Sequence, residues 1–252
     1  MIVTTDHGPV RELRLDRPPA NALSPELITA LTAAVQAAPG EGARALVISG
    51  APGMLSAGLD VPYLLTLDRP AIREVWRSFY AMLRSLASSP VPIAAAITGH
   101  APAGGAVISI FCDYRVMAEG EFKIGLNEVQ VGIPLPPVIL EALKRLVGPY
   151  RAERLAVGAT LLPGAEALRI GMVDELAPGD QVVARAVEWC QRLLAFPPEA
   201  MTETRRRARA DLAGLFDEAG EAELDLVAGN WFSRETQDAL RALVERLAKR
   251  KG

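Results

Sequence analysis

One carboxylate in the chain has surroundings that could tune it for proton transfer. Glu128 is flanked by the apolar residues Leu126, Val129, Val131 and Ile133. Because ionising a carboxyl group in an apolar setting costs free energy, we expect the pKa of Glu128 to rise toward neutrality. A general base that removes a proton from carbon benefits from such a pKa. From the residues alone, a surface glutamate on an edge strand or loop stays open as the alternative.

Two turns rich in small residues could bring backbone amides to a ligand. They are Ser56-Ala57-Gly58-Leu59-Asp60 and Gly99-His100-Ala101-Pro102-Ala103-Gly104-Gly105, and each follows an apolar stretch. Small residues permit close approach of the backbone, and N–H groups at a helix N-terminus favour a developing oxyanion. Tight packing is the alternative explanation for either turn. The glycine spacing matches neither the dinucleotide-binding fingerprint nor the P-loop.

Strands that alternate with helices must position these turns. Apolar runs predict buried strands at 45–49, 92–98 and 114–118, and helical patterns cover 72–86 and 106–112. This alternation is typical of an α/β domain.

The composition changes after Pro197-Pro198, where residues with high helix propensity dominate. We expect a core over 1–196 and a helical oligomerisation region over 197–252. Within that region Leu240, Leu243 and Leu247 form one apolar face that must pack on something.

Composition also limits the classes of function. Half of the 252 residues are apolar, which suffices for a sizeable core, and a net charge of −3 gives no reason to expect nucleic acid or a membrane as a partner. Two cysteines without a redox motif, and no visible secretory signal, favour a cytoplasmic location. No cluster has metal-ligand spacing, so we expect no metal.

The ordered motifs resemble those of the crotonase, or enoyl-CoA hydratase/isomerase, superfamily across essentially the whole chain. Besides the two turns, the resemblance rests on Arg17-Pro18-Pro19-Ala20-Asn21-Ala22-Leu23, Cys112-Asp113-Tyr114-Arg115 and Ile124-Gly125-Leu126-Asn127-Glu128. It implies a crotonase (ClpP-like) spiral of ββα units whose C-terminal helices form a homotrimer or a dimer of trimers. It also implies an acyl-CoA thioester substrate, so that coenzyme A belongs to the substrate and no separate cofactor is expected.

The resemblance further assigns roles to single positions. The N–H groups of Ala57 and Gly104 would form the oxyanion hole for the thioester oxygen. The residues expected to line the substrate are Ala57, Gly58, Leu59, Asp60, Val61, Gly104, Val107 and Asn127. The Asp60 side chain is also expected to cap the helix that follows.

The two glutamates that activate water in typical hydratases of the superfamily map onto Val107 and Glu128, and a valine cannot hold or deprotonate water. Isomerisation needs one carboxylate, which takes the proton from carbon 2 of a 3-enoyl thioester and returns it to carbon 4. The motifs look most similar to those of mitochondrial-type Δ3,Δ2-enoyl-CoA isomerases. The sequence therefore predicts an enoyl-CoA isomerase with Glu128 as its base.

Other interpretations stay open. A different single-carboxylate enzyme, such as an acyl-CoA decarboxylase or a weak hydratase, could recruit Glu141, although that position is expected to be exposed. An RNA-binding relative would use Arg205-Arg206-Arg207-Ala208-Arg209, which we expect instead to be a solvated or subunit-contact face or a contact to a CoA phosphate. An inactive acyl-CoA binder would lack the base, and Glu128 argues against it.

Two smaller predictions concern side chains near the turns. His100 has no acidic or serine partner in its motif, so we expect a structural role. Four aromatic residues are expected to pack in the core, with lining of the acyl tail as the alternative, namely Tyr63, Trp76, Phe79 and Tyr80.

Overall fold

A six-stranded sheet runs through the centre of the computed structural model, which describes residues 1–218 and 220–249. Its spatial order is β1 (Ile2–His7), β2 (Val10–Leu15), β3 (Ala45–Ser49), β5 (Ile93–Ile97), β7 (Tyr114–Ala118) and β10 (Glu175–Ala177). A smaller sheet contains β4 (Gly53–Met54), β6 (Gly99–Pro102), β8 (Lys123–Gly125) and β9 (Leu162–Pro163). From β2 to β10 the neighbouring strands of the large sheet are parallel, so their carboxyl ends share one edge.

Helices cover both faces of this sheet. In the first 196 residues they are α1 (Pro25–Ala37), α2 (Val61–Leu64), α3 (Arg69–Ala87), α4 (Gly104–Ile110), α5 (Pro137–Val147), α6 (Pro149–Val157), α7 (Gly164–Arg169) and α8 (Val182–Leu194). Every residue of β3 and β5 is buried, because helices lie against both of their faces. The strands predicted at 45–49, 92–98 and 114–118 correspond to β3, β5 and β7, and the helix predicted at 72–86 lies within α3, so these predictions are confirmed.

The predicted helix at 106–112 is shifted along the chain. Helix α4 begins at Gly104 and ends at Ile110, two residues earlier at each end than expected. Its C-terminus tightens because the Phe111 N–H donates to the Ile108 carbonyl and the Cys112 N–H donates to the Ser109 carbonyl. Both bonds span three residues, which ends an α-helix.

From Pro198 onward the described residues form helices α9 (Pro198–Ala208), α10 (Ala210–Glu218), α11 (Glu221–Trp231) and α12 (Arg234–Lys249). Residues 219 and 250–252 of the predicted region 197–252 lie outside the described residues. Leu240 is fully buried and Leu243 partly so, whereas Leu247 is 41% exposed, so only part of the predicted apolar face packs within the chain. Within 1–218 and 220–249, no helix has the length and apolar character needed to cross a membrane.

Candidate active site

The two segments rich in small residues that follow β3 and β5 lie against each other at the carboxyl edge of the central sheet. The predicted turn at 99–105 was wrong in part, because Gly99–Pro102 pairs as β6 and Gly104 already begins α4, which leaves Ala103 as the turn between them. Gly58 has a φ of +91°, and a Cβ placed on it would lie 2.8 Å from the Ala103 Cβ and 3.1 Å from the Gly104 nitrogen. A Cβ on Gly104 would lie 2.6 Å from Leu23 Cδ1 and 3.0 Å from Gly58 Cα. Because neither position has room for a side chain, the backbones of Gly58 and Gly104 come into direct contact.

Ala103 aims the first amide of α4. It has φ 47° and ψ −120°, a combination that alanine rarely adopts. The Ala103 N–H donates to the Gly125 carbonyl at 2.9 Å, which holds the turn in this conformation. The Gly104 N–H follows directly, in the first turn of α4, where N–H groups have no acceptor within the helix and the helix dipole is positive.

The other predicted oxyanion donor is engaged within the protein. Ala57 is exposed at the tip of its turn, and its N–H donates to the Ala20 carbonyl at 2.9 Å. The following amide, that of Gly58, donates to Ser56 Oγ at 3.2 Å. A thioester oxygen would have to replace the Ala20 carbonyl before it could accept from the Ala57 N–H.

Asp60 anchors the turn 56–60 on its far side. Its Oδ1 accepts from the Tyr63 N–H at 3.3 Å, so Asp60 caps α2 as the sequence predicts. Its Oδ2 accepts from the Arg17 guanidinium at 2.5 Å. Of the other predicted lining residues in this segment, Val61 is buried and Leu59 is half-buried. The Asp60 carboxylate is therefore committed to structural contacts.

Glu128 opens a short 3₁₀ turn, Glu128–Val131, after β8. The residue is half-buried, and its Oε2 is fully buried with no hydrogen-bond partner within residues 1–218 and 220–249. Burial raises the pKa of Glu128 from 4.5 to about 7, and only a hydrogen bond from its own backbone amide opposes that shift. Leu126 and Ile133 are buried beside it, while Val129 is 48% exposed. The adjoining Asn127 carries a second buried oxygen, Oδ1, in the same unpartnered state.

Helix α12 holds this turn from the other side. The Thr236 hydroxyl donates to the Gly132 carbonyl at 2.6 Å, and Ser233 Oγ donates to Thr236 Oγ1 at 2.8 Å. A Cβ on Gly132 would lie 3.0 Å from Thr236 Cα, so helix and turn are in close contact. Sequence reasoning missed Thr236, because it is 108 residues distant from Glu128 and its only local signal is a helix-capping pattern.

Val107 and Glu141 differ sharply in environment. Val107 is buried in α4, one turn after Gly104. Glu141 lies on the exposed face of α5 and accepts from Lys144 Nζ at 2.7 Å, as expected for a surface residue. Of the three acids Asp60, Glu128 and Glu141, Glu128 alone has a buried carboxylate oxygen without a hydrogen-bond partner in the described part of the chain.

His100 and the aromatic residues can also be placed. His100 Nδ1 accepts from the Lys123 N–H at 3.2 Å, and its ring packs edge-on against Phe122, which is a structural role as predicted. Trp76, Phe79 and Tyr80 are buried, but Tyr63 is 42% exposed, so the core packing predicted for Tyr63 was wrong. Tyr63 lies in the short helix α2 at the surface, where the turn of the helix directs it away from the core.

The arginine-rich stretch is not a uniformly solvated face. Arg206 and Arg207 are exposed and pair with Glu203 within the same helix. Arg205 and Arg209 instead point inward and pair with Asp113 of the core. The expectation was therefore wrong for two of the four arginines, because the helical period turns positions 205 and 209 to one side.

Comparison with known proteins agrees with this architecture. A family model described as "Enoyl-CoA hydratase/isomerase" matches residues 5–250. The mouse protein "Enoyl-CoA delta isomerase 1, mitochondrial" is 31% identical over 256 residues, covering 100% of this chain and 89% of the mouse protein. The crystal structure of human mitochondrial delta3-delta2-enoyl-CoA isomerase matches with a TM-score of 0.95 and 29% identity, covering 100% of this chain and 99% of that chain.

Relatives named for hydration reach almost the same identity. "Probable enoyl-CoA hydratase EchA17" of Mycobacterium tuberculosis is 29% identical over 206 residues, covering 81% of this chain and 77% of that protein. Identity alone therefore does not choose between the two reactions. The predicted α/β crotonase fold is confirmed by the match to the human structure. The chain is an enzyme that belongs to the enoyl-CoA hydratase/isomerase family.

Proposed function

We propose that the protein is a Δ3,Δ2-enoyl-CoA isomerase, which converts 3-enoyl-CoA to 2-enoyl-CoA with Glu128 as the proton carrier. The observation that carries the proposal is the environment of that carboxylate: a buried, unpartnered oxygen and a pKa raised to about 7. A base with this pKa is half ionised near neutral pH, so it can both accept and return a proton.

The backbone of α4 supplies the electrostatic part of the mechanism. When Glu128 removes the proton from carbon 2, negative charge spreads to the thioester oxygen. The Gly104 N–H would donate to that oxygen. The Ala57 N–H would also donate to it once the oxygen has replaced the Ala20 carbonyl as its acceptor. Removing one such donor from a hydrolytic enzyme costs about 3–4 kcal/mol of transition-state stabilisation. Protonation of carbon 4 by Glu128 then completes the shift and regenerates the base.

The buried Val107 favours isomerisation over hydration. A hydratase must hold and activate water between two acids, and a valine side chain offers neither a hydrogen bond nor a base. An apolar wall also keeps water away from the dienolate. Glu141 does not replace the missing acid in this proposal, because it is exposed and paired with Lys144.

The substrate and assembly complete the proposal. We infer that residues 57–61, Gly104, Val107 and Asn127 line the acyl-CoA thioester, with coenzyme A as part of the substrate. Three points stay predictions: assembly as a homotrimer or a dimer of trimers, the division into 1–196 and 197–252, and a cytoplasmic location. The mouse relative is named mitochondrial.

The test offers cis- and trans-3-enoyl-CoAs of several chain lengths, and separately 2-enoyl-CoA in water, to the purified protein. We expect the conjugated 2-enoyl thioester to form from the first set and little 3-hydroxyacyl-CoA from the second. Glu128→Gln should abolish isomerisation while CoA binding persists, and Glu141→Gln serves as the matched control with full activity. Retained isomerisation in Glu128→Gln would place the base elsewhere, and efficient hydration by the wild type would refute the assignment.

A further inference from the structure

A cavity rich in arginine lies at the edge of the central sheet opposite to the candidate active site. It has a volume of about 200 Å³, and its charged lining consists of Asp113, Arg115, Arg145, Arg205 and Arg209. Asp113 precedes β7 and accepts from the amide that begins β5, so the cavity is at the amino edge of these strands. The two glycine turns follow the carboxyl ends, so the cavity is separate from the site described above.

Part of this cluster has a clear structural role. Arg205 donates to both oxygens of Asp113 at 2.8 Å and to the Ser89 carbonyl at 2.6 Å. Arg209 donates to the Phe111 carbonyl at 2.6 Å, directly after the end of α4. These contacts attach α9 to the core and satisfy carbonyl groups at the C-terminal ends of helices.

The structural contacts leave an excess of positive charge. The cavity wall contains four arginines and one carboxylate. At its border Asp174 pairs with Arg115 at 2.7 Å, and Asp211 pairs with Arg145 at 2.8 Å. Four positive and three negative groups leave one positive charge without a counter-charge in this network.

Two guanidinium groups of the lining also have an N–H group without an acceptor in the described part of the chain. Arg115 is 4% exposed, and its Nε is buried without a hydrogen-bond partner within the described residues. Arg145 uses its Nε and Nη2 for Asp211 and the Ala208 carbonyl, and in that same part of the chain its Nη1 has no acceptor. A buried, charged donor without an acceptor is costly, so an anion that reached the Arg115 guanidinium would lower that cost.

The arginines also repel one another. Burial lowers the pKa of Arg209, and the neighbouring cations Arg205 and Arg145 lower it further, against the attraction of Asp113. An anion in the cavity would relieve this repulsion, whereas a neutral ligand would not.

We propose that this cavity binds a small tetrahedral oxyanion of the phosphate class, with Arg115 and Arg145 as its direct donors. Guanidinium groups match phosphate oxygens in geometry and charge. The volume is below the roughly 300 Å³ of sites for larger organic ligands, which favours a free ion over a nucleotide. Because Arg205 and Arg209 connect α9 to the core through the same cluster, the bound anion stabilises the attachment of the C-terminal helices.

The experiment measures thermal unfolding of the full chain, saturated with CoA so that phosphate cannot report on the CoA site. Inorganic phosphate, glycerol 3-phosphate and chloride are titrated at constant ionic strength. We expect inorganic phosphate to raise Tm by about 3–6 °C at tenfold excess over its Kd. If glycerol 3-phosphate raises Tm as much as inorganic phosphate does, the ligand is a phosphate monoester. If it raises Tm less, the ligand is the free ion. Either result supports the site.

Variants locate the effect. Arg145→Gln, at a half-exposed position that does not threaten folding, should weaken phosphate binding at least tenfold by titration calorimetry, as should Arg115→Lys. Arg84→Gln is the matched control, because Arg84 also joins α10 to the core through one aspartate, Asp217, at 2.9 Å. The proposal is wrong if chloride stabilises as much as phosphate, or if Arg145→Gln binds phosphate like the control.

Discussion

Replacing Glu128 with glutamine should change how the stability of the protein depends on pH. The raised pKa means that the folded state holds the Glu128 proton more tightly than the unfolded chain does. The free energy of unfolding therefore falls as pH rises from about 4.5 through about 7, and stays reduced above that range. A glutamine does not titrate, so the variant should lack this loss.

The size of the effect follows from the two pKa values. The difference between 4.5 and about 7 corresponds to about 3.4 kcal/mol of stability that ionised Glu128 removes. About 2.5 kcal/mol of this develops between pH 5 and pH 8.5, because the unfolded chain is already partly ionised at pH 5. Any cost of burying the new amide is independent of pH and cancels when the two pH values are compared.

Urea unfolding at pH 5 and pH 8.5 tests this reasoning on the wild type, Glu128→Gln and Glu141→Gln. Every other titrating group contributes equally to the wild type and to the Glu128→Gln variant. We expect Glu128→Gln to lose about 2.5 kcal/mol less than the other two between the two pH values. If all three lose the same amount, Glu128 does not carry a raised pKa in the folded protein, and it is not tuned as a base.

Three further predictions concern activity and its framework. Wild-type kcat/KM for 3-enoyl-CoA should rise with pH through about 7, since Glu128 acts in its ionised form; a profile flat from pH 5 to 8 would contradict this. Gly104→Ala should lower kcat at least about 100-fold and should lower the free energy of unfolding by about 1–3 kcal/mol, because the new methyl group lies 2.6 Å from Leu23 Cδ1. Gly179→Ala, at a position with open space around it, is the control in thermal unfolding. Thr236→Val should lower the free energy of unfolding by about 1 kcal/mol, because it loses the hydrogen bond to the Gly132 carbonyl. It should also lower kcat with little change in KM, whereas Thr236→Ser should restore the stability and kcat.

Much of the fold could be predicted from local patterns. The runs at 45–49 and 114–118 have no charged residue except Arg115, so each predicts a buried strand. Ser24-Pro25 predicts the start of a helix, and Ser24 Oγ indeed accepts from the Leu27 N–H at 3.3 Å. These features depend on residues adjacent in the chain, which is why the sequence suffices for them.

The exact helix ends and the inward-facing arginines could not be predicted this way. The start of α4 at Gly104 depends on the hydrogen bond from the Ala103 N–H to the carbonyl of Gly125, which lies at the end of β8. The side to which Arg205 turns depends on where α9 packs, and that is set by Asp113, 92 residues away in the chain. Local composition carries no information about such partners.

In the candidate site, too, some features follow from neighbouring residues and others from contacts between distant segments. The amino-acid sequence predicts an acid among apolar residues at 128 and two segments of small residues at 56–60 and 99–105, because composition controls local polarity and backbone freedom. Three contacts become visible once the chain is folded: Gly58 meets Gly104, the Ala57 N–H donates to the Ala20 carbonyl, and Thr236 holds the turn after Glu128. Each of these contacts joins segments distant in the chain, and the packing of the whole core selects them.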